Sequence, residues 1–206
     1  MDDNREYRSY PVKQIELRAA DSAPTQIVGY AAVFNQLSED LGFFREKIAP
    51  GAFAGSIATE DVFALWQHQT DKPLARKANR TLGLREDTIG LAAEITPPNT
   101  TWGKDALAAV ESGLVSHFSF GFQTIRDEWD YSNRDMPIRT LLEVKLFEVS
   151  PVTFPAYPQT SAEARAKVAE IRSRNGENVD AGTRAQAQAQ ARASRLAQVR
   201  VAEIEL

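Results

Sequence analysis

Val115-Ser116-His117-Phe118-Ser119-Phe120-Gly121-Phe122 is the stretch that decides how this chain folds. Side chains alternate across a β-strand with a period of two. Phe118, Phe120 and Phe122 therefore share one face, and Val115, His117, Ser119 and Gly121 share the other. Three aromatics in register make the first face a core face. Ser116 falls with the phenylalanines. Ser119 is held by buried rings behind it, with its hydroxyl pointing away from the core. Beside it, Gly121 leaves room for another backbone to approach.

Working outward from this strand, the pattern stays mostly β. Strands are predicted over 13–19, 26–34, 43–48, 61–68, 82–86, 89–95, 115–123 and 140–154. Glu86-Asp87-Thr88 reads as a hairpin turn. One good helix is expected, capped by Thr100 or Thr101, carrying Ala106, Leu107 and Val110 on one side and ended by Gly113. A shorter one is expected over 52–57. Many short strands with few helices point to a mainly β, α+β architecture, with a closed or nearly closed β-barrel and flanking helices.

Composition breaks near residue 160. All 3 Trp, 5 Tyr and 10 Phe precede that point. The two expected parts are a domain over 1–160 and an Ala/Arg/Gln-rich tail over 161–206. The tail's good helix formers predict helical stretches broken at Asn175-Gly176, with only a thin apolar stripe of Leu196, Val199 and Ile204. The stripe suits either a solvated helix or an assembly segment.

The 206 residues carry a formal charge of −4, which gives no electrostatic footprint for nucleic acid. There is no cysteine, so disulfides, thiolate nucleophiles and zinc–thiolate sites are excluded. No run is long and apolar enough for a membrane helix. The first ten residues, MDDNREYRSY, lack the apolar core of a secretory signal.

Only two histidines, His68 and His117, are available for acid–base work, which leaves no histidine-rich metal site. His68 ends the apolar run Val62-Phe63-Ala64-Leu65-Trp66-Gln67 and precedes polar turn residues. That places it on a rigid element beside a cleft. A serine hydroxyl needs an adjacent base, and the base needs a third group to fix its tautomer. Glu148 is a lone carboxylate in the apolar run Leu146-Phe147-Glu148-Val149, a costly position unless it is paired. Simple alternation puts Leu146, Glu148 and Ser150 on one face. Asp71 and His117 compete with Glu148 for the third role. A solvent-facing strand serine, an ordinary loop histidine and an exposed glutamate are the plainer readings of the same three residues.

Five segments, in this order, resemble the prohead maturation protease family of tailed bacteriophages. They are Ile27-Val28-Gly29-Tyr30-Ala31-Ala32-Val33-Phe34, then Phe44-Arg45-Glu46-Lys47-Ile48-Ala49-Pro50-Gly51-Ala52-Phe53 and Leu65-Trp66-Gln67-His68. After these come Ser119-Phe120-Gly121-Phe122 and Phe147-Glu148-Val149-Ser150-Pro151-Val152-Thr153-Phe154-Pro155-Ala156. The resemblance spans residues 12–160. It implies a barrel of the herpesvirus assembly protease type and a serine endopeptidase activity. It carries the catalytic histidine onto His68 and the serine onto Ser119. In the herpesvirus relatives the third member is a second histidine on a later strand, and Glu148 holds the comparable place here. The implied substrate is a scaffold protein, or the scaffolding region of the major capsid protein, and the chain itself. The implied setting is the assembling procapsid in the bacterial host cytoplasm. No metal or organic cofactor is implied, and a homo-oligomer is compatible. The competing expectation is a capsid-assembly protein of the same fold without turnover. The segment Phe154-Pro155-Ala156-Tyr157 is a candidate source of oxyanion donors.

Overall fold

A computed structural model describes residues 5–9, 15–20 and 23–154. The expected helical tail and the boundary at 160 lie outside the described residues. So do three of the four residues of the candidate oxyanion segment, 155–157.

The chain runs β1 (Glu6–Ser9), β2 (Ile15–Ala20), β3 (Ala23–Val33), β4 (Arg45–Ile48), α1 (Ala54–Thr59), β5 (Phe63–Trp66), β6 (Gln69–Arg76), β7 (Leu82–Glu86), β8 (Gly90–Ile95), α2 (Thr101–Glu111), β9 (His117–Asp130) and β10 (Ile138–Val152). The mainly β reading holds. The expected helix begins at a Thr100 cap, whose side chain accepts from the Gly103 N–H at 3.2 Å, and Gly113 follows it with φ +74. The turn after β7 is pinned by Asp87, which accepts from the Ile89 and Gly90 N–H groups. Burial would raise the Asp87 carboxyl, but those bonds, with others from the Tyr30 hydroxyl and Arg85, outweigh it and hold the group down at about 2.

The strands form two sheets, not a closed barrel. One has the order β1-β9-β10-β5-β6, with β4 also paired to β10. The other has the order β2-β3-β8-β7. No strand is shared between the two sheets among the described residues, and β1 borders β9 over Ser119–Phe122 on the edge away from β10. The two sheets instead share one core. Ile27, Ala31, Leu91, Ala93 and Ile95 from the smaller sheet join Phe118, Phe120, Phe122, Leu141, Leu146 and Val149 from the larger. Each of the larger side chains among them, fully withdrawn from water, stabilises the fold by about 1.5–3 kcal/mol. Among the described residues no helix is long and apolar enough to cross a membrane.

Two features of the larger sheet position the polar residues on the face away from its phenylalanines. The first is the long antiparallel pair of β9 and β10, in which Ser119 stands opposite Ser150 and Gly121 opposite Glu148. The second is a β-bulge in β10, where Leu146 pairs with Phe122 and Glu148 with Gly121. Phe147 is the extra residue. Simple alternation places Leu146 and Glu148 on one face. The bulge separates them: Leu146 turns into the core, while Glu148 and Ser150 join the face of Ser119.

Candidate active site

His68 sits at the tip of the β5–β6 hairpin, not at the end of a longer strand. Trp66 pairs with Gln69, so Gln67 and His68 form the two-residue loop. Their φ angles are 53° and 60°. Both lie in the left-handed region, as a type I′ hairpin turn requires, yet neither residue is a glycine. Such backbone costs about 1–3 kcal/mol per residue and persists only where surroundings over-determine it. Here the end of β10 does so. The Gln67 N–H donates to the Pro151 carbonyl, and the Gln67 side chain exchanges two hydrogen bonds with Thr153. The His68 N–H donates to Ser150 Oγ at 3.3 Å.

The imidazole is then fixed by Glu148. Nδ1 of His68 lies 2.6 Å from Glu148 Oε1. The contact suits the tautomer in which Nδ1–H donates to the carboxylate and Nε2 is the acceptor nitrogen. Ser150 Oγ donates to the other carboxylate oxygen at 2.5 Å. Glu148 is 4% exposed, and both its oxygens are therefore engaged. His68 Nε2 is buried and has no hydrogen-bond partner among the described residues.

Ser119 lies on the same face. It pairs with Ser150, and directly opposed residues in an antiparallel ladder are about 4.5–5.5 Å apart with side chains on one side. The serine is therefore one strand from the group that holds His68. Contrary to the expectation of an exposed hydroxyl, Ser119 is 0% exposed. The strand β1 lies along it, and its Oγ donates to the Arg8 carbonyl at 3.0 Å. Gly121 differs from expectation too. The space over it is filled, because a Cβ there would come within 2.8 Å of Glu148 Oε1 and 2.9 Å of Tyr7 Cε1. The Tyr7 ring also packs edge-on against His68 at 4.8 Å.

Neither competing third member is bonded to His68 among the described residues. Asp71 is exposed on β6 and makes no hydrogen bond with His68. His117 begins β9, and its Nδ1 contacts the neighbouring Ser116 Oγ at 3.1 Å. Ser116 itself is exposed ahead of β9, where the alternation does not yet apply.

This serine, this imidazole and this carboxylate come from three separate strands or turns in the order His, Ser, Glu. A family description, the caudovirus prohead serine protease, matches residues 13–174. The chain belongs to that family. The prohead protease of Enterobacteria phage HK97 is 30% identical over 145 residues, covering 68% of this chain and 60% of that protein. No solved structure matches.

For this prohead protease family member, sequence reasoning missed three supporting residues. Ser150 had a signal, since it alternates with Glu148 on one face. Gln67 had only its place beside His68. Tyr7 had none, because β1 reads as a polar segment, Glu6-Tyr7-Arg8-Ser9. On the opposite side of β1, Glu6 and Arg8 are buried with Glu46 and Arg139. Arg8 Nε bonds Glu46 Oε1 at 2.8 Å and Arg8 Nη2 bonds Glu6 at 2.6 Å. Arg139 bonds Glu6, Glu46 and Asp127. Burial alone would raise the Glu6 carboxyl, but the charges of Arg8 and Arg139, with bonds from Arg139 and Thr124, hold it below its ordinary value. Burial likewise opposes the charged Arg139, and Glu46 and Glu6 more than offset it.

Proposed function

We propose that the chain is a serine endopeptidase of procapsid maturation, with Ser119 as nucleophile, His68 as general base and Glu148 as the group that orients the base. The observation that carries this reading is the 2.6 Å contact between His68 Nδ1 and Glu148 Oε1. It supports the tautomer whose Nε2 accepts a proton, and Glu148 and Ser119 share one side of the sheet. His68 Nε2 takes the Ser119 proton as Oγ attacks the scissile carbonyl, and Glu148 stabilises the imidazolium. The imidazolium returns the proton to the leaving amine. Water activated by the same nitrogen then releases the acyl group.

The proposed substrate is scaffold, either a separate protein or the scaffolding region of the major capsid protein, together with the chain itself. Family membership supports this. A fluorophosphonate tests it: covalent labelling located at Ser119, abolished by Ser119→Ala, is expected. Co-expression with the capsid protein should give cleaved products that Ser119→Ala and His68→Ala both lose. Normal processing by either variant would overturn the assignment.

One observation favours the non-catalytic reading, an assembly protein of the same fold. Ser119 is wholly buried and its hydroxyl is bound to the Arg8 carbonyl, not to His68. Failure of labelling and of processing under every condition would establish that reading.

A further inference from the structure

The segment that buries Ser119 is an edge strand, and its placement follows the pattern of a bound peptide. β1 pairs antiparallel with β9 in the register Glu6 to Phe122, Tyr7 to Gly121, Arg8 to Phe120 and Ser9 to Ser119. It borders only β9 within its sheet. It lies upstream of residue 13, where the family match begins, whereas β4, β9, β10 and the His68 turn all lie inside the matched span. The groove thus belongs to the matched core and its occupant does not.

We propose that β1 fills the substrate groove and that a substrate segment replaces it strand for strand, presenting a basic side chain to Glu46 at the place Arg8 now holds. The inference rests on the functional reading above for the identity of the groove.

Three observations support the exchange. First, the carbonyl bonded by Ser119 Oγ is that of Arg8, at 3.0 Å. A peptide in the same register has its residue at the Arg8 place immediately before the attacked bond. In the present arrangement the hydroxyl proton is directed to that oxygen and His68 Nε2 is unpartnered among the described residues, so β1 sits as an occluding strand, not a reacting one. Second, the receptor for the basic side chain stays behind. Glu46 is on β4 and is 0% exposed. Its Oε1 is used by Arg8, while Arg139 uses Oε2. Third, departure of β1 takes an acidic and a basic partner of the cluster, Glu6 and Arg8, away together. The Arg139 bonds to Glu46 and Asp127 remain. A replacing strand restores the main-chain bonds to β9, which is the energetic basis of β-strand addition.

A covalent clamp tests this without relying on turnover. Continuing the register by one residue puts Arg5 opposite Gln123, both exposed, and such opposed positions suit a disulfide. The chain has no other cysteine. Arg5→Cys/Gln123→Cys is made in a Ser119→Ala background and titrated with a labelled synthetic peptide containing Glu-Tyr-Arg-Ser. The reduced form should bind and the oxidised form should not, with recovery on adding reductant. Replacing the peptide's Arg with Glu should weaken binding about a hundredfold, the effect of placing a like charge against a buried carboxylate. A second arm uses Arg8→Glu in the full chain, which loosens β1 and should tighten binding of the unmodified peptide. Equal binding by oxidised and reduced forms, no binding by the reduced form, or indifference to the peptide's Arg would overturn the proposal. Loss of cleavage in the serine-bearing protein with peptide binding intact would instead overturn only the assignment of Ser119 as nucleophile.

Discussion

Glu148 Oε1 meets His68 Nδ1 at 2.6 Å across 80 residues of sequence because β10 carries one extra residue, Phe147, just before the glutamate. Without that bulge, a Glu148 in step with Leu146 would project into the core. With it, Leu146 and Val149 both stay buried in the core and Glu148 swings to the imidazole. Ser150, two residues on, follows Glu148 to the same face by simple alternation. The hairpin tip that bears His68 is thus fastened to β10 at three points, by Glu148, Ser150 and Pro151.

Glu148→Gln should therefore leave the fold intact and damage catalysis. The amide retains the shape of the carboxylate. Under the proposed mechanism it loses the charge that would stabilise the imidazolium and can present an N–H where Nδ1 needs an acceptor, favouring the wrong tautomer. A fall in turnover of roughly 10²–10⁴-fold is expected, by comparison with the loss seen when a triad carboxylate becomes an amide. The measurement is kcat on a scaffold-derived peptide, with the melting temperature as control. An unchanged kcat would remove Glu148 from the mechanism.

Ser150→Ala is expected to act through Glu148. It deletes the donor to Oε2 and the acceptor for the His68 N–H, while the strand register is kept. A hydrogen bond to a charged group contributes roughly 1.5–3 kcal/mol, so turnover should fall about 10–100-fold. Ser150→Thr keeps the hydroxyl and should restore part of the rate. The acid limb of the pH–kcat profile should also move, which a purely structural role would not produce.

Much of the fold and site is legible in the pattern of residues, and the failures have physical causes. The spacing of Phe118, Phe120 and Phe122 identifies the inner face correctly, because three rings two apart have only one way to be buried in a strand. It also places Ser119 and Gly121 on the opposite face, where Glu148 and Ser150 lie. The same rule fails at Phe147, since a bulge shifts the period by one residue without leaving a compositional mark. It fails again for residues 123–130 of β9, where exposed polar residues remain in the strand because β10 pairs with them. β1 is invisible to it because two of its four residues are charged. Glu6 and Arg8 are buried only because Glu46 and Arg139, far along the chain, complete their ion pairs. That hidden strand is also why Ser119 is covered.

Gly121→Ala tests how tightly the site is filled. The added methyl would lie 2.8 Å from Glu148 Oε1 and 2.9 Å from Tyr7 Cε1, closer than real contacts allow. Something must shift, and Glu148 is held from two other sides. Displacing a positioned catalytic group by about 1 Å can cost on the order of 10²-fold in rate. Turnover should fall by that order while thermal unfolding changes far less. A variant with the normal rate would mean that Tyr7 alone yields.

Arg139→Ala should be among the most destabilising single changes. Its guanidinium bridges Glu6, Glu46 and Asp127, and the first two are almost wholly buried. Removing one partner of a buried ionic cluster leaves uncompensated charge and costs about 3–5 kcal/mol. Urea unfolding should show the loss as a lower midpoint with the slope retained.

The same cluster predicts an acid limit to stability. Burial would raise the Glu6 carboxyl, yet Arg8 and Arg139 hold it below the ordinary 4.5. The folded chain therefore binds fewer protons at this group than the unfolded chain does as pH falls through that region. Its contribution is fully present above pH 4.5 and is lost as the pH drops through the lower folded-state value. Melting temperature should consequently fall more steeply below pH 4.5 in the native chain than in Glu6→Gln, which starts less stable but has no charge to lose there. Parallel melting curves for the two proteins across that range would show that Glu6 gains nothing from its arginine partners.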